Sequence, residues 1–400
     1  MIQSDRNGAN RKGGAIVLSE IFPPTKGGSG KWLSEIYARM PERSCVMVVG
    51  NAHCGAESGS CDEEYFQLVS RENLAMDFRG ISTLPSLRNY HRIFRRVCQI
   101  AKLHQIQSIH AARPLFEGLV ARLVKMRLGL SYVCFVHGED INIAKTSREL
   151  TLLTRSVLGH AEKLIANSTF TKDLLLNDWN VPSNRIELMH PGVDCEFFTP
   201  LENPQPRQLF REKQKVLLTV GRLQERKGHD TLIAGLPEIR KQFPNVLYAI
   251  AGDGEQRPVL QQMVSRLELE AHVRFLGEID DSTLRQAYRE CDLFALPNRT
   301  IGRDVEGFGI VLLEAQACGK PVIAGKSGGT QDTLLPGRTG FLIDCQDPKN
   351  PSELVGAICK LLADDSERER MGRDARAFVQ NSFDWECLAK KAKRVLSLEY

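Results

Sequence analysis

The sequence predicts an α/β protein with two doubly wound, Rossmann-like domains, each built on a parallel sheet. Segments typical of buried strands alternate with amphipathic helices between residues 14 and 199, and again between residues 213 and 380. Three prolines between Pro200 and Pro206 separate the two series and indicate a linker over residues 200–212. A chain of 400 residues, 42% hydrophobic and 26% charged, is long enough for two ordinary domains.

The N-terminal residues and the cysteines limit the classes of protein to which this chain can belong. Residues 1–13 are polar and lack the apolar core of a secretory signal, so we expect a disordered tail. No run of eighteen apolar residues occurs, and the eleven cysteines form no Cys-x-x-Cys pair, so we expect reduced cysteines in a cytoplasmic protein. His53, Cys54 and Cys61 could form part of a metal site, but a glycine-rich loop with incidental cysteines is the preferred interpretation.

A glycine-rich loop follows the first predicted strand, residues 14–18. The loop Lys26–Gly30 leads into a helix predicted over residues 31–40, and strand, glycine loop and helix together favour a phosphate cradle at Gly27 and Gly28. It is not a Walker A loop, because Thr25 and Trp32 occupy two of its required positions. A plain turn that needs glycine is the alternative. Further strands are predicted over residues 45–49, 108–111, 131–136 and 163–167, and a helix over 116–127.

His137 follows the predicted strand 131–136 directly. Ligands of parallel α/β sheets collect at the carboxyl ends of the strands, so His137 lies where chemistry is expected. A histidine at the end of a strand is otherwise often a hydrogen-bonded structural residue, and both interpretations stay open. Ser168 follows the next strand and is predicted to cap a helix that reaches Asn177.

The segment from Arg79 to Leu130 is strongly basic, with ten Lys/Arg residues against the single acid Glu117. Such a charge suits an anionic surface, for example lipid headgroups, although a solvated helix face is the simpler alternative. Within it, residues 87–103 have apolar side chains at helical spacing and basic side chains between them, which is typical of an amphipathic interfacial helix. The apolar positions are Leu87, Tyr90, Ile93, Phe94, Val97, Ile100 and Ala101.

In the second domain, the predicted strand 215–220 leads into Arg222 and Lys227. An arginine offers a bidentate fork and a lysine a point charge, which together suit a diphosphate, although two basic loop residues are usually solvated. The strand 246–251 ends in a Gly-Asp-Gly turn that is not a dinucleotide fingerprint, because Arg257 stands where a third glycine is needed. A strand over 273–277, a helix over 281–291 and a strand over 293–297 follow.

The stretch from Arg303 to Thr330 combines a polar loop, an apolar helix predicted over residues 310–318 and a strand over 321–324, with Gly319 ending the helix. Gly307 and Gly309 lie at the helix start, where backbone N–H groups favour an anion. Glu314 lies inside the apolar helix and is expected to face solvent or a polar ligand, since an unpaired buried charge is costly. Glu306 and Glu314 are eight residues apart, roughly 12 Å along a helix, on the order of the span from sugar to ribose in a nucleotide sugar.

The motif EGFGIVLLE at 306–314, followed by GKPVIAG at 319–325, resembles the retaining glycosyltransferases of family 4, which have the GT-B fold. The run from 304 to 329 is especially similar to the GDP-mannose-dependent phosphatidylinositol mannosyltransferases. The turn PGVD at 191–194 and the motif GR-x4-KG at 221–228 also match, so the resemblance covers nearly the whole chain. It implies two domains facing across a cleft that holds the donor, and a terminal helix, residues 381–400, that crosses back to the first domain.

The resemblance implies transfer of a hexose from a nucleotide-diphosphate sugar, GDP-mannose first and a UDP-sugar next, to an acceptor hydroxyl with retention of configuration. It assigns the diphosphate to two cations and the loop glycines, the sugar to His137 and Glu306, and the ribose to Glu314. The residues assigned to catalysis are His137, Arg222, Lys227 and Glu306, and those assigned to the donor are Gly27, Gly28, Gly277, Gly307, Phe308, Gly309 and Glu314.

No Asp-x-Asp occurs, so no metal and no cofactor are expected, and the two cations take the place of a metal clamp. The expected acceptor is a glycan, a glycolipid or a small molecule, with no nucleic acid involved and with peripheral contact of the basic segment to an anionic membrane. Two other classes stay open: a nucleotide-sugar epimerase or phosphorylase on the same fold, and a two-domain ligand-binding protein without catalysis. Release of free nucleotide diphosphate only in the presence of acceptor would distinguish the transferase from both.

Overall fold

A computed structural model of the chain describes residues 14–23, 25, 27–40, 45–50, 67–72, 74, 79–201 and 206–396. The predicted tail 1–13, the alternative metal site at His53, Cys54 and Cys61, and linker residues 202–205 lie outside this range. The chain divides into two compact units: Met1–Ala166 with Leu175–Glu187 and Ala392–Tyr400, and Asn167–Leu174 with Leu188–Lys391.

The first unit is built on a seven-stranded sheet in the order β3-β2-β1-β4-β5-β6-β7, with parallel pairing from β3 through β6. Strands β1 and β4 are neighbours, so the order reverses between them. The strands are β1 (Ala15–Ser19), β2 (Cys45–Gly50), β3 (Gln67–Glu72), β4 (Ser108–Ala111), β5 (Ser131–Val136), β6 (Lys163–Ala166) and β7 (Ile186–Leu188). The helices are α1 (Gly28–Ala38), α2 (Leu84–Leu103), α3 (Leu119–Leu128), α4 (Glu139–Ala144), α5 (Arg148–His160) and α6 (Thr169–Asp173), the last of which lies in the second unit.

The second unit has a six-stranded parallel sheet in the order β10-β9-β8-β11-β12-β13, and its order reverses between β8 and β11. The strands are β8 (Lys215–Val220), β9 (Val246–Ala251), β10 (Val273–Gly277), β11 (Leu293–Leu296), β12 (Val322–Gly325) and β13 (Gly340–Ile343). The helices are α7 (His229–Gln242), α8 (Arg257–Arg266), α9 (Asp281–Glu290), α10 (Ile310–Ala317), α11 (Ser352–Ala363), α12 (Asp365–Ser382) and α13 (Trp385–Val395), the last shared with the first unit from Ala392 onward.

Alternate residues of the second sheet enter two separate hydrophobic clusters. Leu217 of β8 packs in one cluster, whereas its neighbours Val216 and Leu218 pack in the other. The same alternation separates Tyr248 from Leu247 on β9. A sheet with apolar clusters on both faces is the doubly wound arrangement that the near-continuous apolar strands predict. The predicted fold class is thereby confirmed.

Three local predictions need correction. The first helix starts at Gly28 and not at Lys31, because Gly30 packs against the carbonyl of Ile21, where a Cβ would lie 2.6 Å from that oxygen, and this packing outweighs the low helix propensity of glycine. Ser168 caps α6 as predicted, but the helix widens into a π-helical turn from Leu174. On α2, most of the apolar stripe predicted for an interfacial helix is instead buried within the protein, whereas Leu87 is 50% exposed; the buried members are Tyr90, Ile93, Val97, Ile100 and Ala101.

Candidate active site

The site in the second unit begins where the sheet order reverses. The chain leaves β8, passes Arg222 and forms a 3₁₀ turn, Glu225–Lys227. The chain that leaves the neighbouring strand β11 runs through Arg299 to Glu306. The carboxyl ends of adjacent parallel strands meet at this edge of the sheet, so the two loops face each other.

A buried carboxylate joins these loops. Glu306 is 7% exposed, and its Oε2 accepts hydrogen bonds from Lys227 Nζ at 2.5 Å and from Arg226 at 2.6 Å. Burial alone would raise the pKa of the Glu306 carboxyl, but the charges of Lys227 and Arg226 outweigh it and hold that pKa below its ordinary value. Arg226 also pairs with Asp304, at 3.2 Å. Both of these contacts of Glu306 use Oε2.

A second buried ion pair holds the 3₁₀ turn in place. The guanidinium of Arg299, only 2% exposed, donates to both carboxylate oxygens of Asp230 at 2.8 Å. The backbone N–H of Arg299 donates to the carbonyl of Arg226. A bidentate pair of this kind fixes orientation as well as distance. The position of the two cations on Glu306 therefore depends on Arg299 and Asp230.

The start of α10 depends on Gly309, which has φ +93° and precedes the helix as its N-cap residue. Gly319 has φ +74° beyond the other end and stops the helix, as predicted. Glu314 is buried, and its Oε2 accepts a hydrogen bond from the Tyr288 hydroxyl at 2.9 Å. The expectation that Glu314 faces solvent or a ligand is therefore incomplete, because α9 supplies a partner. Burial and the charge of Glu314 raise the pKa of Tyr288 well above its ordinary value.

The loop between Glu306 and Gly309 is held by the segment that follows β6. The amide of Asn167 donates to the carbonyl of Gly307 at 3.2 Å, while its own oxygen accepts from Thr171 Oγ1 at 2.6 Å. Asp332 accepts from the backbone N–H and the hydroxyl of Thr169, at 2.6 and 2.5 Å. Asn167 is 3% exposed, so this contact is a fixed part of the loop.

Phe308 packs into the protein. Its ring stacks on His190 with the centroids 5.4 Å apart and also contacts Phe383. His190 in turn hydrogen-bonds the carbonyl of Asn167 at 3.0 Å, and burial lowers the pKa of its imidazole below the ordinary value. The Phe308 side chain is 4% exposed and is therefore part of the packed interior.

In the first unit, Gly27 is the N-cap residue of α1 and Gly28 its first residue, so their backbone N–H groups stand at the positive end of an eleven-residue helix. His137 follows β5, as predicted, and its Nε2 lies 2.9 Å from the carbonyl of Ala112. A carbonyl only accepts, so Nε2 carries a proton, and Nδ1 is the acceptor of the neutral ring. The edge of His137 meets the ring of Trp32 at 5.5 Å between centroids.

Four of the predicted site residues of the second unit lie in three different places. Lys227 and Glu306 are in contact, whereas Arg222 is exposed and its guanidinium has no partner among the described residues. Gly277 ends the edge strand β10, where its carbonyl accepts from the N–H of Gly252. Arg226 is not among the predicted site residues, although it stands beside Lys227 in the same basic loop. Nor are the supporting residues Asp230, Arg299, Tyr288 and Asn167, for which the sequence carries no distinguishing signal.

Two family models match successive parts of the chain: "Glycosyltransferase Family 4" over residues 26–197 and "Glycosyl transferases group 1" over residues 202–378. A GDP-mannose-dependent alpha-(1-6)-phosphatidylinositol monomannoside mannosyltransferase of Mycolicibacterium smegmatis is 31% identical over 391 residues, covering 96% of this chain and 98% of that protein. The chain belongs to glycosyltransferase family 4. It is accordingly a hexosyltransferase that uses a nucleotide sugar.

Other similar proteins agree with this family. A GDP-mannose-dependent monoacylated alpha-(1-6)-phosphatidylinositol monomannoside mannosyltransferase of Corynebacterium glutamicum is 28% identical, over 98% of this chain and 99% of that protein. Among solved structures, HepE of Anabaena in complex with UDP has a TM-score of 0.77 at 23% identity, covering 96% of this chain and 99% of its own. WaaG, a glycosyltransferase of lipopolysaccharide biosynthesis, has a TM-score of 0.69 at 19% identity, with coverage of 96% and 99%. These two structures share the GT-B fold.

The described residues contain no group of three or more His, Cys, Asp or Glu side chains that could hold a metal ion. Within the same ranges, no helix is both long enough and apolar enough to cross a bilayer.

The contacts of Glu306 predict that Lys227→Ala and Arg226→Ala both impair the family 4 enzyme. Each loses a charge-assisted hydrogen bond worth roughly 1.5–3 kcal/mol, which corresponds to about a ten- to hundred-fold fall in kcat/KM. Steady-state kinetics with the nucleotide-sugar donor measure this, and Lys241→Ala serves as control because Lys241 is exposed on α7. If Arg226→Ala behaves like the control, Arg226 has no part in the site.

Proposed function

We propose that the enzyme transfers mannose from GDP-mannose to a hydroxyl group of an inositol- or mannose-containing acceptor, with retention of the anomeric configuration. The observation that supports this most directly is the 31% identity to a GDP-mannose-dependent mannosyltransferase over 96% of the chain. The buried Lys227–Glu306–Arg226 cluster at the carboxyl edge of the second sheet supplies the charges that such a donor needs. UDP-sugars are the second candidate donors.

Departure of the nucleotide diphosphate develops negative charge, which fixed cations stabilise without reorganisation. In this proposal Lys227 exchanges part of its contact with Glu306 for the diphosphate, and the exposed Arg222 contributes its open guanidinium. The backbone N–H groups of Gly27 and Gly28 are assigned to the same diphosphate.

Contacts to the two sugars of the donor complete the assignment. Glu306 Oε1 accepts from hydroxyls of the transferred sugar, and Glu314 accepts from the ribose. His137 contacts the transferred sugar, and the backbone of Gly277 lies near the base. No side chain of this set is an evident covalent nucleophile. The preferred mechanism is therefore a front-face displacement, in which the leaving phosphate helps to deprotonate the acceptor hydroxyl.

The basic segment contributes a surface of mixed character. On α2, Leu84 is 69% and Leu103 72% exposed, and Arg88, Arg92 and Arg95 are exposed on the same helix. Met126 of the neighbouring α3 is 67% exposed. Cations beside exposed apolar side chains are the composition that binds anionic lipid headgroups. We extend the proposal to a peripheral contact of this face with an anionic membrane, where a lipid acceptor would be found.

Release of GDP tests the function. We expect GDP to appear from GDP-mannose only when an acceptor such as a phosphatidylinositol mannoside is present, and we expect the rate to survive EDTA because cations take the role of a metal clamp. A coupled assay for GDP, run with and without acceptor, measures both. Epimerised sugar without GDP release would favour the epimerase alternative. Loss of turnover in EDTA that Mg²⁺ or Mn²⁺ restores would contradict the metal-independent account.

Substitution of Glu306 and substitution of Glu314 should change the kinetics in different ways. Glu306→Gln removes a charge beside the reacting sugar, whose contact strengthens as positive charge develops, so kcat should fall strongly with little change in donor KM. Glu314→Gln keeps an acceptor for the Tyr288 hydroxyl but weakens a ribose contact remote from bond breaking, so donor KM should rise with kcat largely kept. Glu238→Gln, exposed on α7, is the control. The same pattern in both mutants, or the patterns reversed, would show that the donor lies differently along α10.

Neutralising Arg92, Arg95 and Arg96 with glutamine should weaken binding to vesicles that contain anionic lipid, and the wild-type binding should fall as salt rises. Co-sedimentation with phosphatidylglycerol vesicles measures it. The control neutralises three exposed cations elsewhere: Lys213, Arg338 and Arg373. Equal vesicle binding by both triple mutants would show that the basic segment is only a solvated surface.

A further inference from the structure

The reversal point of the first sheet holds a second cluster in which one carboxylate is bound by two cations. Glu20 follows β1 directly, and Arg113 follows the neighbouring strand β4 two residues after its end. Glu20 Oε2 accepts from Arg113 and from Arg79, each at 2.9 Å. The backbones of neighbouring strands lie about 4.8 Å apart, so side chains that follow β1 and β4 can meet. Because the sheet order reverses between these two strands, the cluster lies where parallel α/β sheets bind ligands.

The backbone around Glu20 is fixed from several sides. Its own N–H donates to Oε1 of the fully buried Glu117 at 2.9 Å. A Cβ on Gly50, at the end of β2, would lie 2.1 Å from the carbonyl oxygen of Glu20, so the two chains are in close contact. The hydroxyl of Ser19 donates to the carbonyl of Ile21, the residue after Glu20, at 2.6 Å. The carboxylate is therefore presented in one orientation, which is a requirement for a binding residue.

One oxygen of this carboxylate remains available. Both guanidinium contacts use Oε2, and no donor among the described residues reaches Oε1 of Glu20, whose side chain is 20% exposed. Two further polar atoms of the cluster, Oε2 of Glu117 and Nε of Arg113, are buried and have no hydrogen-bond partner among the described residues. Since buried polar atoms are nearly always paired, the cluster has unused hydrogen-bonding capacity besides Oε1 of Glu20.

The charges of the cluster indicate the chemical class of a partner for Oε1 of Glu20. Glu20 and Glu117 balance Arg79 and Arg113, so the cluster has no net charge with which to attract a cation or an anion. An ionised carboxylate oxygen that is already charge-compensated accepts hydrogen bonds from hydroxyl groups. We propose that Glu20 is a polyol-binding residue, and that its Oε1 takes hydroxyls of the acceptor, either an inositol or a hexose. The assignment of the polyol as acceptor rests on the proposed function.

His137 belongs to the same edge of the first sheet. It follows β5, the strand next to β4, and its Nε2–H donates to the carbonyl of Ala112, the residue before Arg113. The backbones of Glu20 and His137 are then about two strand spacings, roughly 10 Å, apart. Glu20 thus gives the acceptor a fixed point beside the residue assigned to the transferred sugar.

Direct binding tests this without turnover. Saturation-transfer NMR titrations with myo-inositol and with methyl α-mannopyranoside, in the presence of GDP, compare wild type, Glu20→Gln and Glu35→Gln. Glu35 pairs with Arg39 on α1 and receives the same substitution at a comparable exposure. We expect Glu20→Gln to weaken binding of at least one polyol by about tenfold or more, since it loses a bond to a charged acceptor, while Glu35→Gln binds as wild type.

A second variant and a measurement of donor binding distinguish failure of the polyol site from failure of the proposed donor. Glu20→Asp keeps the charge for both guanidiniums but draws the carboxylate back, so it should fold as wild type, as circular dichroism can check, and still bind polyol more weakly. The thermal shift given by GDP-mannose should be unchanged in all three variants. Polyol binding that is equal in wild type and both Glu20 variants, or absent from wild type, overturns the polyol site. A missing GDP-mannose shift with intact, Glu20-dependent polyol binding overturns the proposed donor instead.

Discussion

The pairing of one buried carboxylate with two cations is the interaction on which the second unit's edge depends. Removing water from Glu306 is costly and would raise the pKa of its carboxyl, but the contacts with Lys227 and Arg226 hold that pKa below its ordinary value. The pairing also works in the other direction, because the cations would repel each other without Glu306. The loops after β8 and β11 are thereby locked together, with their charge close to balance.

In both units, two cations contact one oxygen of a carboxylate at the point where the order of the sheet reverses. In each, the loop after one central strand supplies a carboxylate, and cations approach a single oxygen of it: Lys227 and Arg226 for Glu306, Arg79 and Arg113 for Glu20. The chain order differs, since Glu20 follows the first strand of its unit and Glu306 the fourth. Similar chemistry from different sequence positions suggests that the sheet topology, and not a repeated sequence, selects the place.

Much of the fold could be predicted because buried parallel strands leave a strong apolar signal. The strands 131–136, 215–220 and 246–251 have the predicted bounds. The short edge strand β13 has only four residues and a half-exposed middle, so its pattern is weak. In the site, Lys227 and Glu306 could be named from the motif. The arginine that contacts Glu306 could not be named from the motif. Its position depends on the 3₁₀ turn at Glu225–Lys227 and on the ion pair of Arg299 with Asp230 that supports this turn. A loop sequence has no periodicity from which such contacts could be predicted.

The participation of Asn167–Leu174 in the second unit has a practical consequence for dissecting the chain. A fragment cut at the proline-rich linker would contain every strand from β8 to β13 but would lack Asn167, Thr169 and His190. The carbonyl of Gly307 would then lose its amide donor, Asp332 would lose both its bonds to Thr169, and one face of Phe308 would be bare. Such a fragment could fold around its sheet and still bind donor poorly, so weak binding by an isolated half would say little about where the donor contacts lie.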